Sequence, residues 1–250
     1  MISLFCFISN IFAYNIKPYP EQNHSGLENK LNLVFCPLNY RDNEASSGDI
    51  KIFLQRLKQT KPFDELCNNL GFWYVNISAQ EASKIFKATK SFPPLAVRRD
   101  FLADISAKLE SEYKIIIIDA TGSTSCAELS SIDKLSLIIL GKARYKDEDS
   151  FAKGFLHELG HSLGLRDERV DGGQLCSLGP PNCAVTQEEA EKWWGDLVGK
   201  VSNVHYISGC CGNVNYIRPT IASLMNNPDK ARDFGPVNER YLEKSILGVK

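Results

Sequence analysis

The sequence predicts a mixed α/β domain in which buried strands alternate with amphipathic helices. Apolar runs rich in β-branched and aromatic residues are typical of buried strands, and they recur at Leu31–Leu38, Phe72–Ser78, Tyr113–Ala120 and Leu135–Tyr145. Between and after these runs, apolar residues recur at helical spacing, as at Ile50, Phe53, Leu54 and Leu57, within Leu95–Ser111 and within Pro236–Leu247. We therefore expect a mixed sheet that helices cover.

Length and composition agree with one sizeable globular domain. The chain has 250 residues, of which 43% are hydrophobic and 24% are charged, and its formal net charge is −1. A nearly neutral chain gives no electrostatic reason to expect nucleic acid or an anionic membrane as the main partner. No apolar run is long enough to span a bilayer.

The two N-terminal segments differ in composition from the rest. Residues 1–13 form a short apolar run that ends in Ala13, which is typical of a secretory signal peptide. A buried first strand is the alternative interpretation. Residues 14–30 are polar and include Pro18 and Pro20, which indicates an N-terminal arm rather than a core element. We therefore assign residues 31–250 to the folded domain and expect a secreted protein.

The strongest chemical signal is the pattern H-E-x-x-H, formed by His157, Glu158 and His161 in an apolar helical context. Residues four apart project from one face of a helix, so both imidazoles can reach one zinc ion. Glu158 stands beside the first histidine, where its carboxylate can act as general base toward a zinc-activated water. The alternative is a helix whose two histidines are merely half-buried polar residues.

Gly164 and Asp167 extend this pattern. Glycine tolerates a left-handed backbone and often ends helices, so the chain can leave the helix at Gly164 and bring Asp167 back toward the metal. The chain has four histidines, and the other two, His24 and His205, are distant in sequence. Asp167 is therefore the expected third ligand, and the neighbouring Glu168 is its rival.

The string from His157 to Asp167 resembles the zinc motif of the metzincin metallopeptidases, H-E-x-x-H-x-x-G-x-x-(H or D), in the Asp variant of snapalysin-like and IgA-peptidase-like members. The resemblance implies a zincin domain with a mixed five-stranded sheet, an active-site helix, a methionine-containing turn beneath the metal and a C-terminal helix. It also implies that the edge strand before the zinc helix runs antiparallel and holds the substrate backbone. Leu135–Tyr145 is the candidate for that edge.

Met225 is the candidate for the methionine turn that the resemblance implies. It follows the zinc motif and precedes the last helix, and the other methionine is Met1. Plain core packing is the alternative role for such a residue. Some metzincins carry a tyrosine two residues after this methionine that stabilises the reaction, but here Asn227 occupies the position.

Four cysteines cluster after the zinc motif: Cys176, Cys183, Cys210 and Cys211. In an exported protein, such clustering indicates disulfides that fix an irregular loop. Adjacent Cys210 and Cys211 cannot readily bond to each other, so we expect them to bond Cys176 and Cys183, in a pairing that the sequence leaves open. A zinc site made of cysteines is the rival interpretation, although no C-x-x-C pair is present.

The other cysteines are Cys6, Cys36, Cys67 and Cys126. Cys6 falls in the predicted signal peptide. The remaining three make an odd number together with the four clustered cysteines, so we expect at least one thiol in the mature chain.

These observations predict a secreted zinc metallopeptidase, an endopeptidase that acts as a monomer on protein or peptide substrates. The two motif histidines and Asp167 are the expected Zn²⁺ ligands, and Glu158 is the expected general base. An aspartate ligand needs a hydrogen bond to orient it, and Arg166 or Ser162 is the candidate donor. Two other classes stay open: a non-catalytic zinc-binding or adhesion domain on the same scaffold, and a zinc hydrolase of non-peptide amides.

Overall fold

The computed structural model describes residues 14–20, 30–89, 95–109, 112–129, 136–171 and 181–248. Strands and helices are numbered along the chain. Six strands form the central sheet: β1 (Asn15–Pro18), β2 (Leu31–Leu38), β3 (Leu70–Asn76), β6 (Glu112–Asp119), β7 (Cys126–Leu129) and β8 (Ser136–Gly141). Two further pairs are β4 (Phe86–Ala88) with β5 (Leu95–Val97) and β9 (Ile207–Cys210) with β10 (Asn213–Arg218).

The strand order in the central sheet is β1-β3-β2-β6-β8-β7. The four inner strands are parallel to one another, whereas β1 and β7 run antiparallel to their neighbours. Ile115 to Ile118 in β6 are all fully buried, as expected for a central parallel strand with both faces covered. The predicted class, a mixed α/β fold, is therefore confirmed.

Seven α-helices surround the sheet in the described residues: α1 (Asn43–Leu57), α2 (Phe63–Leu66), α3 (Ala79–Ile85), α4 (Arg99–Leu109), α5 (Glu148–Ser162), α6 (Gln187–Trp194) and α7 (Pro236–Leu247). Side chains on alternate strand positions enter two separate cores. Phe35 and Ile116 pack with α1, α5 and α7 on one face, and Val34 and Ile115 pack with α4 on the other. Helix α5 is therefore fixed on a rigid sheet.

Two N-terminal boundaries differ from the sequence prediction. Strand β1 adds a sixth strand from the segment assigned to a polar arm, because Ile16 and Tyr19 are both buried. Helix α1 begins at Asn43, seven residues before the apolar pattern that starts at Ile50, because the Asp42 side chain accepts the backbone N–H of Ala45 at 2.8 Å. A capping side chain can begin a helix ahead of its apolar face.

The antiparallel edge strand next to α5 is β7, so the prediction that Leu135–Tyr145 forms this edge was wrong. The strand in that region, β8, is an inner strand that pairs in parallel with β6 and antiparallel with β7. Its apolar run reflects burial between two neighbours, which an edge strand does not have.

Several predictions fall outside the described residues. These concern the signal peptide of residues 1–13, and also Cys6, His24 and Cys176. Among the helices that the structure describes, none has both the length and the apolar character needed to cross a membrane.

Candidate metal centre

Helix α5 presents the H-E-x-x-H motif to a cleft. The helix begins with a capping box, in which the Asp147 side chain accepts the N–H of Ser150 at 2.8 Å and the Ser150 hydroxyl oxygen accepts the N–H of Asp147. Phe155 and Leu159 are fully buried in the core on the sheet. The motif residues instead line the cleft, because they occupy another face of the same helix.

The helix ends where the sequence predicted. Gly164 has a φ of +105°, a left-handed conformation that favours glycine. The Leu165 N–H donates to Gly160 O at 2.9 Å and the Gly164 N–H donates to His161 O at 3.0 Å. These two bonds form a Schellman motif, which reverses the chain direction after the helix. The reversal returns Asp167 to the two histidines.

The three predicted ligands converge. Nε2 of His157 lies 3.1 Å from Nε2 of His161, and Oδ1 of Asp167 lies 3.4 Å and 3.6 Å from these two nitrogens. Zinc bonds of about 2.0–2.1 Å at tetrahedral angles would set ligand atoms about 3.3 Å apart. The donor set therefore has the size and the chemistry of a zinc site, in which each residue contributes one atom.

The hydrogen bonds of the two histidines fix which nitrogen faces the centre. Nδ1 of His157 is 2.7 Å from Leu224 O, and Nδ1 of His161 is 2.9 Å from Leu165 O. A carbonyl oxygen only accepts, so each Nδ1 carries a proton, and in the neutral imidazole each Nε2 presents a lone pair. Two facing lone pairs repel unless a cation lies between them. Hydrogen bonds from the ring nitrogen that does not face the metal are typical of metal-ligating histidines.

The third ligand atom lacks a hydrogen bond. Oδ1 of Asp167 is buried and has no hydrogen bond within the described residues. An unsatisfied buried carboxylate oxygen is costly, and a cation beside it would remove that cost. This orphaned oxygen and the two nitrogen lone pairs point at the same position.

The environment shifts the pKa of each of the three ligands. Burial lowers the pKa of His157 to about 4, which keeps that imidazole neutral. Burial acts against ionisation of Asp167, but contact with the two histidines outweighs it and lowers the pKa of Asp167 to about 2. Burial likewise acts against protonation of His161, yet the contact with Asp167 raises its pKa above the usual value. The site as a whole attracts positive charge.

Glu158 lines the same cleft beside the ligands and is only 7% exposed. Burial raises the pKa of Glu158 to about 7, and the nearby Arg144 and Arg169 act in the opposite direction. A carboxylate with a pKa near neutrality accepts and returns a proton readily. The position and environment of Glu158 therefore suit a general base.

Glu168, the rival third ligand, is directed away from the centre. It is fully buried, with Oε1 accepting from Nδ2 of Asn182 at 3.0 Å and of Asn238 at 2.8 Å. Its Oε2 accepts from the hydroxyls of Thr220 at 3.0 Å and Ser223 at 2.7 Å. All four interactions anchor the carboxylate in the fold, and Glu168 does not line the cleft.

Met225 lies in a turn directly beneath the histidines. The two residues after it donate their backbone N–H groups to Ser223 O at 3.0 Å and 2.9 Å. The Met225 side chain is fully buried, and its sulfur lies 2.7 Å from where a Cβ on Gly160 would stand. The preceding residue, Leu224, supplies the carbonyl that orients His157. The turn thus packs under the helix and helps to position a ligand.

The group that faces the Asp167 carboxylate is Arg169, which the sequence analysis missed. Nε of Arg169 lies 3.4 Å from Oδ1 of Asp167. The two expected donors act elsewhere: the Ser162 hydroxyl donates to Leu159 O at 2.8 Å, and no ion pair joins Arg166 to Asp167 in the described residues. A basic residue two positions after a ligand is a weak signal, because the turn after Asp167 decides its direction.

The cysteine loop is linked to the third ligand. Cys183 and Cys210 form a disulfide with a Cα–Cα distance of 5.8 Å, in agreement with the expected bonding between early and late cysteines of the cluster. Cys211 is also disulfide-bonded, and its backbone N–H donates to Asp167 O at 2.9 Å. A zinc site made of these three cysteines is therefore excluded, although their sulfur atoms lie close together. The other cysteines that the structure describes, Cys36, Cys67 and Cys126, carry thiols.

The cleft around the ligands has a volume of about 970 Å³. It is lined by Ser125, Cys126 and Ala127 at the start of β7, and also by Asn226 and Asn227 after the methionine turn. Among the described strands, β7 pairs only with β8, so no described strand occupies its other edge. Strand β7 has only four residues and follows a run of small polar residues, so the sequence showed no strand pattern there.

Comparison with known proteins adds little to this picture. No family model matches the chain, and no curated protein matches it. Among solved structures, the crystal structure of archaemetzincin from Methanopyrus kandleri is similar, with a TM-score of 0.39 and 13% sequence identity. The match covers 89% of this chain and 98% of that chain. A likeness at this level does not assign the chain to a family.

Proposed function

We propose that this protein is a zinc-dependent endopeptidase of the metzincin type, with the aspartate variant of the motif that snapalysin-like and IgA-peptidase-like members carry. The observation that carries the proposal is the convergence of three otherwise unsatisfied ligand atoms, on His157, His161 and Asp167, beside the buried carboxylate of Glu158. A zinc ligand set with two histidines, one carboxylate and an open position is typical of catalytic rather than structural zinc.

The residues have distinct roles in this proposal. When bound, zinc polarises the scissile carbonyl and lowers the pKa of a water molecule to about 7. Glu158 takes the proton of the attacking water and then donates it to the leaving amine. Leu224 O and Leu165 O hold the two imidazoles in the tautomer that directs Nε2 to the metal. Arg169 holds the Asp167 carboxylate from the side.

The open edge of β7 supports a peptide as the substrate. Cys126 and Ala127 line the cleft, so an extended peptide can pair with β7 and pass the catalytic residues. Backbone pairing of this kind fixes a substrate without reading its side chains, which suits an endopeptidase. This feature favours peptides over small non-peptide amides.

We also propose that the protein acts outside the cell as a monomer. The disulfide between Cys183 and Cys210 favours an oxidising compartment, in which such bonds persist. The apolar run of residues 1–13 is consistent with export.

The experiment that tests the proposal compares wild-type protein with Glu158→Gln. Metal content is measured by mass spectrometry, and turnover is measured on a mixed peptide library. We expect about one zinc per chain in both proteins, cleavage by the wild type that a chelator abolishes, and a loss of at least about 100-fold in Glu158→Gln. Zinc binding without any cleavage in the wild type would instead indicate a non-catalytic zinc-binding domain.

A further inference from the structure

The walls of the cleft carry an excess of basic side chains. Four of the residues that line it are basic: Arg144, Lys146, Arg166 and Arg169. Arg144 and Lys146 lie just before α5, whereas Arg166 and Arg169 lie after its end. The acidic residues of the cleft, apart from the proposed ligand and base, are the exposed Asp171 and Asp229. The four basic groups therefore outnumber these two acids.

The positive charge of the walls is largely unpaired within the fold. Arg169 pairs with Asp167, but Arg144, Lys146 and Arg166 form no ion pair in the part of the chain that the structure describes. Arg144 is also close enough to Glu158 to lower the pKa of that carboxyl. Apart from the proposed zinc ligand and base, the residues that line the cleft therefore carry a net positive charge where a peptide would lie.

Arg166 adds a second, independent observation. Its Nε atom is buried and has no hydrogen-bond acceptor among the described residues. The backbone of Arg166 is held on both sides by Asn182, which donates to its carbonyl and accepts from its N–H, each at 2.9 Å. Because Arg166 also lines the cleft and is only partly buried, its guanidinium group is available to an acceptor that enters the cleft.

The acceptor that fits a guanidinium best is a carboxylate, because two parallel N–H···O bonds can form at once. We propose that the cleft selects peptides that carry carboxylates near the scissile bond, with Arg166 and Arg144 as the groups that bind them. This inference names the substrate class of the proposed peptidase and so rests on the proposed function. The carboxylate comes from an internal Asp or Glu side chain or from the C-terminal residue of a short substrate.

The test measures binding, so that it does not depend on turnover. Zinc-loaded Glu158→Gln protein is titrated with fluorescent peptides that are identical except for Glu or Gln at positions near the centre. We expect the Glu peptides to bind about tenfold more tightly at low ionic strength, with the difference falling as salt is added. Comparing the affinities of peptides with a free and an amidated C-terminus shows whether the bound carboxylate is that of the C-terminal residue or of an internal side chain.

Charge reversal distinguishes recognition from a general effect on folding. In the Glu158→Gln background, Arg166→Glu or Arg144→Glu should shift the preference toward Lys peptides, because a basic group that contacts the substrate becomes acidic. The matched control is Lys87→Glu, on the exposed surface of β4, which should leave the preference unchanged. Two results would overturn the inference. One is a ratio of Glu-peptide to Gln-peptide affinity within about twofold of unity in the Glu158→Gln protein, and the other is a ratio that neither charge reversal alters.

Cleavage by the wild type reports separately on the proposed function. Turnover of neutral and acidic peptides at equal rates leaves the peptidase standing and removes the carboxylate selection. Preferential binding of acidic peptides without turnover supports the carboxylate site and removes the peptidase.

Discussion

Replacing Glu168 tests whether this buried carboxylate holds the metal centre together. Its four donors come from separate segments: Asn182 in the cysteine loop, Thr220 and Ser223 before the methionine turn, and Asn238 in α7. In Glu168→Ala all four donors lose their acceptor in a fully buried site. Unsatisfied buried donors cost roughly 1–3 kcal/mol each, and we take about 1 kcal/mol each because some donors will find water or other partners. The expected loss is about 4 kcal/mol.

Glu168→Gln should be milder, because the hydroxyls of Thr220 and Ser223 can rotate and accept from the new amide group. Its oxygen can then still accept from the two asparagines. We expect a loss of about 1–2 kcal/mol, since neutral hydrogen bonds are weaker than charge-assisted ones. An unfolding free energy that is lowest in Glu168→Ala, higher in Glu168→Gln and highest in the wild type would indicate a carboxylate that acts as a hydrogen-bond acceptor.

The assay is equilibrium unfolding in urea under non-reducing conditions, with and without a chelator. Exposed Glu188 at the start of α6 provides the control, and Glu188→Ala should change stability by less than about 0.5 kcal/mol. If Glu168→Ala unfolds within about 1 kcal/mol of wild type, the reasoning on this hydrogen-bond network is refuted.

A close-packed glycine, the disulfide and the proposed metal site each allow a test of stability. Gly154→Ala should lower the unfolding free energy by about 1–3 kcal/mol in thermal melts, because its Cβ would lie 2.3 Å from the Tyr145 hydroxyl oxygen. The double variant with Tyr145→Ala should relieve this clash. A single variant as stable as the wild type would contradict the packing. Replacing Cys183 and Cys210 together by serine should lower the unfolding free energy in urea by about 3–4 kcal/mol, because the disulfide closes a loop of 27 residues. An unchanged midpoint would show that the disulfide adds no stability. Zinc at 100 times its dissociation constant should add about 2.7 kcal/mol to stability in calorimetry relative to chelator-treated protein, and no shift would contradict binding to the folded state.

The parts of this structure that the sequence predicted are those set by local spacing. Two histidines four apart must share a helix face, and Gly164 adopts the left-handed conformation that its residue type favours. The helix from Pro236 to Leu247 has the predicted limits, because a proline begins it and Gly248 follows it. In each case a few neighbouring residues decide the outcome.

The parts that the sequence missed depend on contacts between distant segments. Strand β7 is defined by its pairing with β8, since its four residues have no strand pattern of their own. Arg169 reaches Asp167, in place of Arg166 or Ser162, because of the turn between them. The role of Glu168 needs partners up to 70 positions away. Such partners become visible only when the chain is folded.

The central claim is that His157, His161 and Asp167 hold one zinc ion. The most direct test is a competition titration of zinc with a chromogenic chelator, comparing wild type with Asp167→Asn and with the control Asp171→Asn, an exposed acid in the same cleft. We expect about one tight site per chain in the wild type and the control, and an affinity at least about tenfold weaker in Asp167→Asn. Equal affinity in all three proteins, or no zinc in folded wild-type protein, would contradict the account.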